Sequence, residues 1–158
     1  LEAVPFLKKF TAAMVLCGDT PLLTYESLLS LQRVHEEHKA QATLLTARLA
    51  NPKGYGRIVR TATGDVLKIV EESVASPKEA AISEVNSGAY CFEVAALLSG
   101  LGQISAKGPK GEHFLTDILE LVRAKGGRII AHLSGNPEEA LAISQSVLPE
   151  TAAAFERF

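Results

Sequence analysis

Val15-Leu16-Cys17-Gly18-Asp19-Thr20-Pro21-Leu22-Leu23 is an apolar run that ends in Gly-Asp and passes into a proline-containing turn. Ala13 to Cys17 reads as a buried strand, and Asp19 then stands at its carboxyl end. In open α/β sheets ligands collect outside the carboxyl ends of strands. Gly18 lets a ligand approach the backbone closely. A carboxylate in that place suits Mg²⁺, which takes oxygen ligands and shares them with substrate phosphates. The same Asp could instead bond only the N–H groups of its own turn.

Downstream of the turn, Thr24 reads as the N-cap of a helix with Glu26 in its first turn, running to about His38. Ala42 to Leu49 (ATLLTARL) is a second strand. Arg57 to Thr61 and Val66 to Glu71 are short strands joined through Gly64-Asp65, a hairpin signal. Ser73 to Ala81 is polar and loop-like, and Asn86 to Phe92 is a strand. Helices follow over Glu93 to Leu101 and Thr116 to Lys125, with a late strand at Arg128 to Leu133. Asn136 caps a helix over Pro137 to Ile143. Upstream, Leu1 to Phe10 reads as a helix broken by Pro5, and Thr151 to Phe158 as a closing helix or frayed tail. Strands alternate with helices around a hairpin insertion, which predicts an α/β fold with a mixed, mostly parallel sheet and helices on both faces.

The chain has 158 residues, enough for one domain with a real core. Its net charge of −2 gives no polycationic surface for nucleic acid. No apolar run is long enough to span a membrane. Cys17 and Cys91 lie in apolar runs, which fits buried, reduced thiols and, with no recognisable signal peptide, a cytoplasmic protein. His35 and His38 are three apart on a helix but have no evident third partner, so a solvated helix face is expected rather than a metal site. His132 reads as a packed strand residue.

Four further stretches carry possible chemistry. In Lys53-Gly54-Tyr55-Gly56-Arg57, glycines around an aromatic could bring backbone N–H groups to a flat or anionic ligand, or simply form a turn into the hairpin. Glu71 ends a strand and could accept hydrogen bonds from sugar hydroxyls, or be solvated. Asn86, in Glu84-Val85-Asn86-Ser87-Gly88, offers donors and an acceptor for reading a sugar, or makes a turn. Lys110-Gly111-Glu112-His113-Phe114-Leu115-Thr116-Asp117 reads as mostly structural, with Thr116 as a helix cap.

Taken in order, Gly-Asp, Gly-Tyr-Gly-Arg-Ile, Ile-Val-Glu, Glu-x-Asn-x-Gly and Gly-Glu-x-x-Leu-Thr-Asp resemble the sugar-1-phosphate nucleotidyltransferases. Among them the likeness is greatest to the uridyltransferase domain of the bifunctional N-acetylglucosamine-1-phosphate uridyltransferases, over about Leu1 to Leu148. The resemblance implies a Rossmann-like nucleotide-diphospho-sugar transferase fold, spanning residues 1–158 as a single partial domain, incomplete at the N-terminus. It implies transfer of a uridylyl group from UTP to N-acetylglucosamine 1-phosphate, giving UDP-N-acetylglucosamine and pyrophosphate for cell-wall precursor synthesis. By motif, Asp19 matches the catalytic Mg²⁺-binding aspartate, and Gly18 its neighbour in the sugar-nucleotide site. Gly56, Glu71 and Asn86 match the residues that hold the N-acetylglucosamine portion.

Two departures stand out. The family's Gly-rich phosphate-binding loop and uracil-reading residues belong upstream of Leu1. Its Gly-x-Asn-x-Arg motif is Ala142-Ile143-Ser144-Gln145-Ser146 here, so Ser144 occupies the place of the second metal ligand. A truncated or diverged non-catalytic relative, keeping the fold as a sugar-nucleotide-binding or interaction module, is therefore the alternative expectation. A metal-dependent glycosyltransferase would need an Asp-x-Asp motif, which the sequence lacks. A sheet edge left open would favour a homo-oligomer.

Overall fold

Strand β2 (Ala42–Arg48) is buried at every residue but its last. Its successive side chains alternate between two faces. Leu44 packs with Tyr90, Phe92, Leu97, Ile118 and Leu119 on one side. Leu45 packs with Leu31, Ala89 and Cys91 on the other. A strand apolar on both faces must be covered on both. In this computed structural model, which describes residues 2–106, 111 and 113–143, α2 (Tyr25–His38) covers one face. The pair α4 (Val94–Leu101) and α5 (Asp117–Ala124) covers the other. The expected helices on both faces are present.

The sheet has six strands. Beside β2 lie β5 (Glu84–Glu93), antiparallel, and β6 (Ile129–Leu133), parallel. The far edge of β5 is shared by two shorter strands. β1 (Ala12–Leu16) pairs antiparallel along Ala89–Glu93, and β3 (Arg57–Arg60) pairs antiparallel at Val85. β4 (Val66–Val70) closes the hairpin with β3. The expectation of a mostly parallel sheet is therefore corrected. Among the described strands only β2 and β6 are parallel, because β5 runs against all three of its neighbours. Hydrophobic runs report burial but not direction.

Other expectations need smaller corrections. Pro5 lies in the first turn of α1 (Val4–Leu7) and so starts that helix rather than breaking it. β1 spans Ala12–Leu16 and is not buried: Ala13 and Val15 pack on the core while Met14 and Leu16 are exposed. Cys17 is also exposed, and only Cys91 is buried. The polar stretch after β4 is a 3₁₀ turn (Glu72–Val74) followed by α3 (Pro77–Ala80). A capping box closes α3, with Ser76 and Glu79 exchanging backbone bonds. The helix expected after Asn136 is a short 3₁₀ turn (Pro137–Ala140), which Asn136 does cap through the Glu138 N–H. The closing segment at 151–158 lies outside the described residues. No helix among the described residues is long and apolar enough to cross a membrane.

Candidate functional site

The two strands that share one edge of β5 leave a gap between them, and the site lies there. The Cys17 N–H, just past β1, donates to the Gly88 carbonyl at 3.0 Å. The Asn86 N–H donates to the Gly56 carbonyl at 2.9 Å, just before β3. Between these contacts β5 bulges: the register with β2 shifts between Leu44 and Thr46. Bulges re-aim side chains and recur beside functional sites. Gly88 has φ +80°, and a Cβ there would lie 2.7 Å from the Cys17 Sγ. Only glycine meets both conditions.

The gap opens into a cleft of about 290 Å³ whose walls include Asp19, Gly56, Glu71 and Asn86. Four of the residues singled out from the sequence thus meet in one place. A groove of about 320 Å³ between α4 and α5 is as large, but its polar side chains are Gln41, Ser99 and Lys125, with no carboxylate.

Asp19 is exposed on the turn after β1, which the Thr20 hydroxyl fastens by donating to the Cys17 carbonyl at 3.0 Å. Gly18 is exposed beside it, and a Cβ there would meet nothing within 4 Å. Among the described residues no contact demands glycine at that position, which leaves room there for an approach from outside. Gly56 is different. A Cβ would lie 2.9 Å from the Ile69 side chain and 3.4 Å from a Glu71 carboxylate oxygen. Its bareness is what lets Glu71 reach the cleft.

Glu71 is half-buried. Burial pushes its carboxyl above the ordinary value, and nearby Asp117 adds to this. The Thr116 hydroxyl opposes the shift by donating to Glu71 at 3.4 Å. Thr116 was expected to cap α5, but it makes no capping bond and serves Glu71 instead. Asn86 is oriented from both ends. Its Nδ2 donates to the Tyr90 hydroxyl at 2.6 Å, and its Oδ1 accepts from the Gly88 N–H at 3.3 Å.

The glycine loop itself is held from behind. Arg57 is buried and donates to Glu72 at 2.5 Å, to the Tyr55 carbonyl, and to the Ala80 carbonyl at 3.3 Å. Glu72 also accepts from the Gly54 N–H at 3.2 Å. Arg57 and Glu72 are therefore occupied within the chain. Tyr55 is buried rather than offered to a ligand, and its hydroxyl accepts from the Ala142 N–H at 3.2 Å. Sequence reading missed this tether, although an aromatic between two glycines was its signal.

Ser144 lies outside the described residues. Its neighbour Ile143 donates its N–H to the Asp19 carbonyl at 2.7 Å, so the chain passes directly beside the Asp19 turn. Among the described residues no group of three or more His, Cys, Asp or Glu could form a metal cage. An exposed carboxylate on a turn fits Mg²⁺ in the other mode, with one or two protein oxygens and the remainder from substrate phosphates and water.

The sequence profile of the nucleotidyl transferase family matches residues 1–135. The chain belongs to that family. It is 47% identical over 134 residues to the bifunctional protein GlmU of Heliobacterium modesticaldum, covering 85% of this chain and 29% of that protein. It is 39% identical over 155 residues to GlmU of Bacillus subtilis, covering 98% of this chain and 34% of the relative. The chain thus spans about a third of the length of these relatives. A solved structure from Bacillus anthracis, of a protein given the name glucose-1-phosphate thymidylyltransferase, superposes with a TM-score of 0.68 at 17% identity. It covers 97% of this chain and 57% of its own, which supports the fold.

Proposed function

We propose that this chain carries the sugar and metal side of a uridyltransferase site that joins UTP to N-acetylglucosamine 1-phosphate, giving UDP-N-acetylglucosamine and pyrophosphate. The convergence of Asp19, Gly56, Glu71 and Asn86 on one cleft supports this reading. A phosphate oxygen of the sugar phosphate attacks the α-phosphorus of UTP, the α–β anhydride bond breaks, and pyrophosphate leaves. Such a displacement needs positioning and charge stabilisation rather than a protein nucleophile. Mg²⁺ held by Asp19 and Ser144 would offset the charge gathering on the phosphate oxygens. Glu71 accepts from sugar hydroxyls, Asn86 supplies a donor and an acceptor, and Gly56 keeps the floor of the cleft low enough for the sugar. The setting is a cytoplasmic route to cell-wall precursors.

Calorimetric titration of the chain with UDP-N-acetylglucosamine, with and without Mg²⁺, tests this. Binding that requires Mg²⁺ and is lost in Asp19→Ala is expected; unchanged binding by that variant would sink the assignment. The serine in place of the family's metal-binding asparagine favours a second reading, a sugar-nucleotide-binding module without turnover. Binding indifferent to Mg²⁺, with no pyrophosphate released from UTP and sugar phosphate, is what that module would give.

A further inference from the structure

We infer that Glu139 is a positioning residue that clamps the Asp19 turn and the segment leading to Ser144 against each other, and so sets the width of the cleft at its metal end. The part concerning metal rests on the function proposed above; the clamp itself does not. Glu139 is only 2% exposed, although it sits in a short 3₁₀ turn near the surface. A buried carboxylate is costly unless its oxygens are hydrogen-bonded. Here one oxygen accepts from the Thr24 hydroxyl at 2.5 Å. The other accepts from the Ser27 and Ser134 hydroxyls, both at 2.6 Å.

These donors come from places that matter to the cleft. Thr24 and Ser27 form the cap and first turn of α2, where the helix dipole favours an anion. The turn bearing Asp19 feeds directly into that cap. Ser134 follows β6 and binds the sheet to the same carboxylate. Glu139 is itself followed by Ala140 and Ala142, which wall the cleft, and by Ile143, whose N–H reaches the Asp19 carbonyl. Among the described residues the carboxylate thus ties side chains together behind a wall that is also joined by the Ala142 N–H to Tyr55, by the Ile143 N–H to Asp19, and by apolar packing of Leu22 and Tyr55 with Ala140 and Leu141. A neutral amide in its place has one acceptor oxygen for three hydroxyls, so the hydroxyl facing its NH₂ must reverse to accept and the charge-assisted three-donor arrangement is lost.

Glu139→Gln and Glu139→Asp should be compared with the parent chain in two measurements. The first is amide hydrogen exchange without ligand. Faster exchange at Ala142 and Ile143 in Glu139→Gln, with the β2 and β5 amides unchanged, is expected. Unchanged exchange at 142 and 143, or uniform acceleration everywhere, would overturn the clamp. The second is Mg²⁺ titration at fixed UDP-N-acetylglucosamine. A fall of up to about tenfold in apparent Mg²⁺ affinity is expected for Gln, with partial recovery in Asp, since losing a direct support of a metal ligand costs about tenfold or more and Glu139 acts at one remove. Locally faster exchange with unaltered Mg²⁺ affinity would keep the clamp and overturn its service to the metal. A parent chain that binds nothing would count against the proposed function while the exchange result still decides the clamp. Should Glu139→Gln fail to fold, Ser27→Ala and Ser134→Ala each remove one donor and are read in the same way.

Discussion

Glu71 shows most clearly how a side chain can serve the cleft at the expense of the fold. Its carboxyl is held above the ordinary value of 4.5, chiefly by burial. The folded state therefore binds the proton more firmly than the unfolded chain does. Stability falls as pH rises from the ordinary value through the raised one, and stays reduced above it. Glu71→Gln is expected to melt at the same or a higher temperature than the parent at pH 7. Its binding of UDP-N-acetylglucosamine should weaken about tenfold or more, since a hydrogen bond to a charged acceptor contributes roughly 1.5–3 kcal/mol. Calorimetric melts and titrations at one pH check both. Gly56→Ala should lose binding without such a gain, because the added methyl lies against Ile69 and the Glu71 carboxylate.

At the scale of elements, α2 is joined to the sheet by two imidazoles. His35 is buried and shares a hydrogen bond with Thr43 on β2 at 2.9 Å, and His132 on β6 shares one with Ser30 at 2.8 Å. Burial lowers both below the usual histidine value of 6.5. The unfolded chain takes up these protons first as pH drops, so stability is lost from 6.5 downward through the lowered folded values. Denaturant melts between pH 7.5 and pH 5 should show this loss, at most about 1.4 kcal/mol per pH unit for each imidazole. His35→Gln combined with His132→Gln should flatten the slope. α2 was legible in the sequence because Thr24 as its cap and Glu26 in its first turn agree. α3 was not, although Ser76 and Glu79 spell its capping box, because Pro77 and the surrounding polar residues read equally well as a loop.

For the whole molecule, the identity of the strands was legible, and so was the antiparallel hairpin of β3 and β4 through Gly64-Asp65, but the direction of β5 against its neighbours was not. The run from Ala42 to Leu49 announces a strand buried on both faces, but nothing in it records that β5 opposes it. Asp19, Gly56, Glu71 and Asn86 were legible through the order of their motifs. Thr116, Tyr55 and Glu139 were not, because their roles depend on partners distant in sequence. The same architecture leaves β1 paired only with β5 among the described strands, with Met14 and Leu16 exposed at 37% and 44%. Edges of this kind invite self-association. Sedimentation of the chain over a concentration series should reveal association, and Met14→Lys should shift it towards monomer; a monomer at all concentrations would dismiss the expectation.

The cleft wall is stitched by the main chain at residues 142 and 143. Amide protons are supplied by nearly every amino acid, so those stitches survive almost any drift in side-chain identity along that stretch. Proline is the exception, since it carries no N–H to give. Residues 142 and 143 can therefore change side chain while keeping their course past Asp19, and what they display towards the cleft can change without the wall being rebuilt.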